Sequence, residues 1–317
     1  VIRFIVKRLA AGFVLLLVIS LLIFVGCEML PGDVAQIMLG QSASPENVAA
    51  LRAELGLDRP APVRYLAWLW GTFHGDWGVS MTSRQPVSVM LSERLSNTLT
   101  LAGLTTLVSV PLALLIGMVL AVHKGTRLDR VGTIVIVGLC ATPEFLVATL
   151  GVLVFSIHLR WLPAISYVTP GTGVLTQIKS MLLPLATMTI IVTAQLARMT
   201  RAVVGNILTQ PYVETARLKG AGPVRVIMVH ALRNAVGPLI NIIAMNVAYL
   251  ISGVVIVETI FAFPGLARLM ADSVQARDLP VVQACAMIFS ASYIGLIMVA
   301  DIVAKLFDSR KEPGAPS

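Results

Sequence analysis

The stretch VETARLKGAGPVRVIMVHALRN, residues 213–234, sets Glu214, Arg217, Lys219, Arg225 and Arg233 around a Gly-Ala-Gly-Pro break, in a chain that is otherwise 57% hydrophobic and only 13% charged. The chemistry such residues offer is non-covalent docking. Pro211 stands where a helix can begin, Glu214 falls in its first turn, and Arg217 and Lys219 lie near its end, an order that matches the peptide dipoles. Gly220 stops this helix. Gly222-Pro223 then starts a second, in which Val224, Ile227, Met228 and Ala231 recur at i, i+3, i+4 and i+7. Two short helices with an apolar stripe and a basic rim can lie along a membrane surface and fit a groove on a soluble partner. A helix pair that merely capped a bundle would need no particular residues at the break. A nucleic-acid site would want denser basic charge and stacking aromatics, and only Tyr212 is at hand. Docking uses both the turn and the mixed face.

Covalent chemistry finds no foothold. His74, His123, His158 and His230 are scattered, and the sequence holds neither H-E-x-x-H nor G-x-S-x-G. It also lacks G-x-x-x-x-G-K-[ST], so it has no phosphate-cradling loop of that kind. Cys27, Cys140 and Cys285 sit singly in apolar runs, without the spacing of a disulfide framework or a metal site. No catalytic or metal-binding residues are expected. The remaining candidates are polar groups in apolar segments, where charge is costly and suggests function. Glu144 follows Pro143 and either faces a pathway or sits in a proline-disrupted turn. Glu258 precedes Phe263-Pro264-Gly265, which reads as a gate or as an interface turn. Asn241 and Asn246 suit hydrogen bonds between helices or contact with cargo.

The elements that must position these groups are membrane spans. A soluble domain is about 45–50% apolar and about 25% charged, whereas this chain of 317 residues has a mean hydropathy of +0.87. About 20 apolar residues cross about 30 Å of hydrocarbon as a helix. Six segments qualify: 9–30, 98–122, 131–157, 181–198, 236–259 and 281–307. Fifteen of the 24 Lys and Arg fall at the two ends and in the loops after spans two and four. The positive-inside bias therefore places both termini and residues 213–234 in the cytoplasm, and it explains the net charge of +8 without nucleic acid. The first apolar run is longer than a signal-peptide core, so an uncleaved span is expected. Residues 31–97 form a long loop on the far side. There Ser44 caps a helix begun by Pro45, Val48, Leu51 and Leu55 give it a face, and Gly56 ends it. Tyr65, Trp68, Trp70, Phe73 and Trp77 follow, as suits a segment near the membrane interface. The organisation is an N-terminal helix (1–30), a periplasmic loop (31–97), a five-helix core (98–307) containing the cytoplasmic loop 199–235, and a tail (308–317).

Glu214-Thr215-Ala216, three residues, then Gly220 resembles the EAA loop of binding-protein-dependent ABC importer permeases, with Thr215 where that family usually has alanine. His230-Ala231-Leu232-Arg233-Asn234 and Pro238 continue the pattern of the dipeptide, oligopeptide and nickel branch. GDWGVS (75–80), Pro86-Val87, Asn97-Thr98-Leu99, VVIVETIFAFPGLARLM (254–270) and ARDLPVVQ (276–283) are similar to further signatures of that branch. The resemblance implies an all-α integral membrane protein of the type I importer kind, multi-pass in the bacterial inner membrane, with six transmembrane helices. It implies a second permease subunit as partner, two cytoplasmic ATPases carrying ATP and Mg, and an extracytoplasmic binding protein that delivers cargo. Peptides are the foremost cargo implied, nickel or another small solute the alternative; an ion-coupled carrier is the rival class. Glu214, Thr215, Ala216, Arg217, Lys219, Gly220, Ala221 and Gly222 would form the ATPase-coupling element, and no cofactor would be bound by this chain itself.

Overall fold

The computed structural model describes residues 2–29, 34–54, 56–166, 173–222, 225–252 and 255–307; Leu55, Pro223, Val224 and the expected tail 308–317 lie outside them. The helices are α1 (Ile2–Glu28), α2 (Val34–Leu39) with a 3-10 turn (Gly40–Ser42), α3 (Pro45–Glu54), α4 (Ala61–Phe73), α5 (Val87–Val122) and α6 (Arg127–Ala141). Next come α7 (Glu144–Gly151), which runs into a π-helical segment (Val152–His158), then α8 (Val174–Leu208) and α9 (Pro211–Leu218). A π-helical turn (Val226–Ala231) leads into α10 (Leu232–Ser252), followed by α11 (Val255–Ile260), α12 (Leu266–Gln275) and α13 (Leu279–Phe307). Among the described residues there is no strand, only an isolated bridge between Val79 and Pro86.

Among the described residues, five helical stretches are long and apolar enough to cross a bilayer: Ile2–Glu28, Val87–Val122, Leu175–Leu208, Leu232–Ile260 and Leu279–Lys305. A sixth crossing exists if Arg127–Ala141 and Glu144–His158 count as one span, bent by 96°. The bend falls at Thr142-Pro143. Thr142 is extended (φ −77, ψ 125), as the residue before a proline prefers, and Pro143 has no N–H with which to continue the helix. Elsewhere the helices outrun the apolar segments. α5 starts 11 residues before the expected span, so the expected 31–97 loop ends in helix, and α8 extends from 174 to 208 rather than 181 to 198.

The chain divides into two compact units, Val1–Thr98 with Pro264–Ile294, and Leu99–Phe263 with Gly295–Ser317. In the first, Ser44 caps α3 as expected, accepting from the Asn47 N–H at 3.2 Å, and Gly56 follows at φ +65. Several of the aromatics after it pack along α1 from helix α4. Tyr65 meets Ser20 through their hydroxyls (2.8 Å), Phe24 packs on Tyr65 and Trp68, and Phe73 approaches Phe13 at 6.2 Å. Arg64 pairs with Glu28 at 2.5 Å. A separate apolar cluster joins Val87 and Leu91 to Leu266, Leu269, Val281 and Cys285. The helix α12 that carries Leu266 and Leu269 was not anticipated between the last two spans.

The second unit holds the central cluster of Leu101, Ala148, Leu183, Val192, Leu250 and Phe261. Helices α5 and α8 come close at Gly117, where an added Cβ would lie 2.6 Å from the Thr200 Cβ and 2.7 Å from the Ala197 carbonyl oxygen. Between membrane helices it is such small residues that allow backbones to close up and gain dispersion energy. Gly103, on the same helix, has nothing within 4 Å of that position. Gly117→Leu is therefore expected to destabilise the detergent-solubilised protein by about 1–3 kcal/mol, the range for forced overpacking. Gly103→Leu should leave the melting temperature unchanged, and thermal unfolding of the two variants side by side checks the contrast.

Candidate functional site

The docking segment begins as expected. Gln210 is extended, Pro211 occupies the first helical position, and α9 runs eight residues to Leu218. It ends in a Schellman motif: the Ala221 N–H reaches the Ala216 carbonyl (3.1 Å) and the Gly220 N–H reaches that of Arg217 (2.9 Å). Gly220 has φ +83, the left-handed conformation that this cap requires, and a Cβ there would touch nothing within 4 Å. The turn needs glycine for backbone reasons rather than for space.

α9 is two-faced. Val213 and Ala216 are buried against the chain, while Glu214, Thr215, Arg217, Lys219, Gly220 and Gly222 are exposed and Ala221 is half-buried. Leu218 stands out at 83% exposure between Arg217 and Lys219. The outward face thus combines one acidic group, two basic groups and a large apolar side chain, the composition of a surface awaiting a complementary groove.

The second half of the segment differs from expectation. It is not a separate short helix. From Arg225 the chain is helical without a break through the π-helical turn and into α10, because nothing between Ala231 and Leu232 interrupts it. The π turn also changes which residues face inward. Val226, Ala231, Ala235 and Leu239 are the buried ones, spaced by five, four and four residues. The wider i→i+5 turn takes up one extra residue and shifts the stripe from the 3.6-residue phase expected for Val224, Ile227, Met228 and Ala231. Val224 and the Met228 side chain lie outside the described residues.

Two features close to this element escaped the sequence reading. Ten residues before α9 begins, in α8's last turns, Arg201 grips Asp129 of α6 with two parallel bonds, Nε to Oδ1 at 2.6 Å and a terminal nitrogen to Oδ2 at 2.9 Å. Asp129 also accepts from the Gly125 N–H (3.0 Å), and its own N–H bonds to the Thr126 hydroxyl (3.3 Å). Thr126-x-x-Asp129 is a capping-box pattern and was the available signal. The second feature is Tyr249, whose hydroxyl donates to the Glu144 carboxylate across from α10 to α7; a lone tyrosine in an apolar span carried no such signal.

The other intramembrane candidates separate. Asn246 is buried and turns back on its own helix, donating to the Ile242 carbonyl at 2.8 Å, while the buried Asn241 Oδ1 has no hydrogen-bond partner. Glu258 is fully buried in α11, beneath a turn in which the Phe263 N–H bonds to the Glu258 carbonyl at 2.8 Å and Ala262 takes φ +50. Phe263 is buried at that turn, and Pro264-Gly265 leads into α12, whose N-cap is Gly265. Among the described residues, Asn241, Asn246 and Glu258 do not line the cleft at Glu144 and Tyr249.

Asp129→Ala leaves a guanidinium that is 30% exposed without its carboxylate. The expected cost is about 2 kcal/mol, below the ~3–5 kcal/mol of a fully buried pair because water reaches Arg201. Adding Arg201→Leu should restore part of the loss, a non-additivity that thermal unfolding of the two single variants and the double variant measures.

Comparison with known proteins closes the description. A family model described as "Binding-protein-dependent transport system inner membrane component" matches residues 113–313, and one for the N-terminal part of such membrane components matches residues 1–102. A Brucella abortus (strain 2308) protein named for a peptide transport system permease is 36% identical over 307 residues, 96% of this chain and 98% of that protein. A Sinorhizobium fredii protein named for a peptide ABC transporter permease is 33% identical over 308 residues, 97% of this chain and 98% of that one. The glutathione transport system permease protein of Salmonella choleraesuis is 34% identical over 301 residues, 95% and 96% of the two chains.

Proposed function

The chain belongs to the inner-membrane components of binding-protein-dependent transport systems, and from that premise we propose that it is the permease subunit through which an ATP-driven importer passes peptides. The names of its relatives support peptide cargo. As a multi-pass inner-membrane subunit it does the transporting and leaves ATP hydrolysis to others. Two ATPases holding ATP and Mg, a second permease completing the pathway, and a binding protein that delivers cargo outside make up the assembly. The bent span was the one feature that favoured an ion-coupled carrier, and family membership assigns it to an ATP-driven system instead.

The observation that carries the coupling assignment is the exposed face of α9 behind its Schellman turn. Glu214, Thr215, Arg217 and Lys219 meet the ATPase surface, Leu218 enters its groove, and Ala216 seats the helix on its own chain. Gly220, with Ala221 and Gly222, holds the angle at which α9 is presented. This face lies in the cytoplasm, on the side to which the Lys and Arg bias directs it.

A β-branched side chain at Gly220 must either pay the left-handed conformation, about 1–2 kcal/mol, or unwind the turn. Gly220→Val is expected to insert and assemble normally and to keep ATP hydrolysis, yet to lose most import, with Gly220→Asn much less affected because asparagine tolerates φ > 0. Proteoliposomes containing the whole complex allow import and hydrolysis to be measured on one preparation. Normal import by the valine variant would place the joint elsewhere.

A further inference from the structure

We propose that Glu144 and Tyr249 form a station in the pathway that receives the α-ammonium group of a peptide in transit, an inference that rests on the peptide-permease reading above. The first observation is position. Glu144 opens α7 immediately after the 96° bend at Thr142-Pro143. Non-helical backbone at membrane depth is tolerated only where it is buried in protein or lines a water-filled cavity. A carboxylate in the same place obeys the same rule, since lipid cannot solvate it. The bend and the acid together mark a face of this unit that is not turned to lipid.

The second observation is the unfilled valence of the acid. Glu144 is half-buried, and its Oε1 accepts the Tyr249 hydroxyl. Among the described residues no Lys, Arg or His forms an ion pair with it. By donating its hydrogen bond to Glu144, Tyr249 leaves its own oxygen lone pairs available. One anionic and one neutral acceptor therefore converge, with no cation among the described residues paired to them. An ammonium, with three donors and no acceptor, is the group that such a pair recognises.

The third observation is size. The cleft at Glu144 and Tyr249 holds about 10 Å³ and is otherwise walled by Met188, Ile191, Val192 and Val257. That is about the space of one water-sized sphere, the scale of an –NH3+ head rather than of a side chain. The apolar walls offer no competing donor or acceptor and lower the local dielectric, which strengthens the carboxylate's hold on a cation. Every unblocked peptide carries this one group whatever its sequence. A station keyed to it favours peptides without selecting among them.

The test uses the whole complex with its binding protein in proteoliposomes, and radiolabelled oligoalanines of two to five residues as cargo. Glu144→Gln keeps an acceptor for Tyr249 but removes the charge. Its import rate is expected to fall about tenfold, as for a lost hydrogen bond to a charged group. The concentration of loaded binding protein giving half-maximal import, the melting temperature and the stimulated ATP hydrolysis should stay at wild-type values. Glu144→Asp, which restores the charge, should recover much of the rate, and Tyr249→Phe should lose a smaller part. Wild-type import by Glu144→Gln would overturn the station and leave the permease reading intact. So would a melting temperature that falls together with import, because the charge would then serve the fold. A wild-type complex that takes up none of the oligoalanines and shows no stimulated hydrolysis removes the reading underneath, and the station with it.

Discussion

Hydrocarbon offers no hydrogen bonds, so a chain that crosses it must pair its own N–H and C=O groups, and each place where the helix stops needs a side chain or a turn to take over. The breaks in this protein are built on that requirement. In the first unit, Asp278 accepts from the Ser80 hydroxyl and from the N–H groups of Met81 (3.0 Å) and Thr82 (3.2 Å), closing a loop onto a turn 198 residues further along the chain. Thr98 takes the Leu266 N–H at 2.8 Å, and Asn97 donates to the Pro264 carbonyl at 2.9 Å. In the second unit, Asp129 does the same for Gly125, and the Ser166 N–H reaches the Phe261 carbonyl at 2.7 Å.

Several of these acceptors are themselves buried: Asp129 at 5% and Asp278 at 3% exposure. A carboxylate withdrawn from water is tolerated only with its lone pairs filled. Asp278 is filled by the Ser80 hydroxyl and two backbone N–H groups, and Asp129 by the Arg201 fork and the Gly125 N–H. Acids and donors satisfy one another, and the loops gain definite shapes. This gives a physical reason why GDWGVS and ARDLP, far apart in sequence, form one object: the first turns at Gly75 and Gly78 (φ +80 and +78) and ends on the Ser80 hydroxyl, and Asp278 of the second receives that hydroxyl with the N–H groups of Met81 and Thr82 just after it.

Much of the architecture was legible because hydrophobic length and proline or glycine punctuation report it directly. The six apolar segments, the Ser44 cap, the Pro211 start and the Gly220 stop all follow from local rules. What was not legible depends on phase or on distant partners. Hydropathy marks where apolar residues end, not where a helix ends, so α5 and α8 outran their spans on polar turns such as SERLSN and RAVVGN. The π turn at 226–231 has no breaker to announce it, yet it rotates the buried stripe. Arg201 and Asp129 were read as one of many basic residues and as an unremarked acid, since only the packing of α6 on α8 brings them together. The aromatics of α4 have the composition of an interfacial belt, and their partners Ser20, Phe24 and Glu28 on α1 could not be named from local pattern.

The same facts fix how a force on α9 would spread through its unit. Thr209 and Gln210 alone separate α9 from α8, and beyond the Schellman turn the Val226 N–H already bonds to the Gly222 carbonyl at 3.0 Å on the way into α10. With so little slack on either side, α9 cannot shift without moving α8 and the start of α10 with it. Arg201 brings in α6, because a fork of two parallel bonds to Asp129 resists both sliding and rotation. The helices so recruited are those that wall the cleft: Met188, Ile191 and Val192 stand on α8, Tyr249 on α10, and Glu144 just past the bend that ends α6. Any displacement that parts α8 from α10 changes the distance between the walls and the two acceptors. A cleft of that size is for that reason sensitive to small movements of its walls.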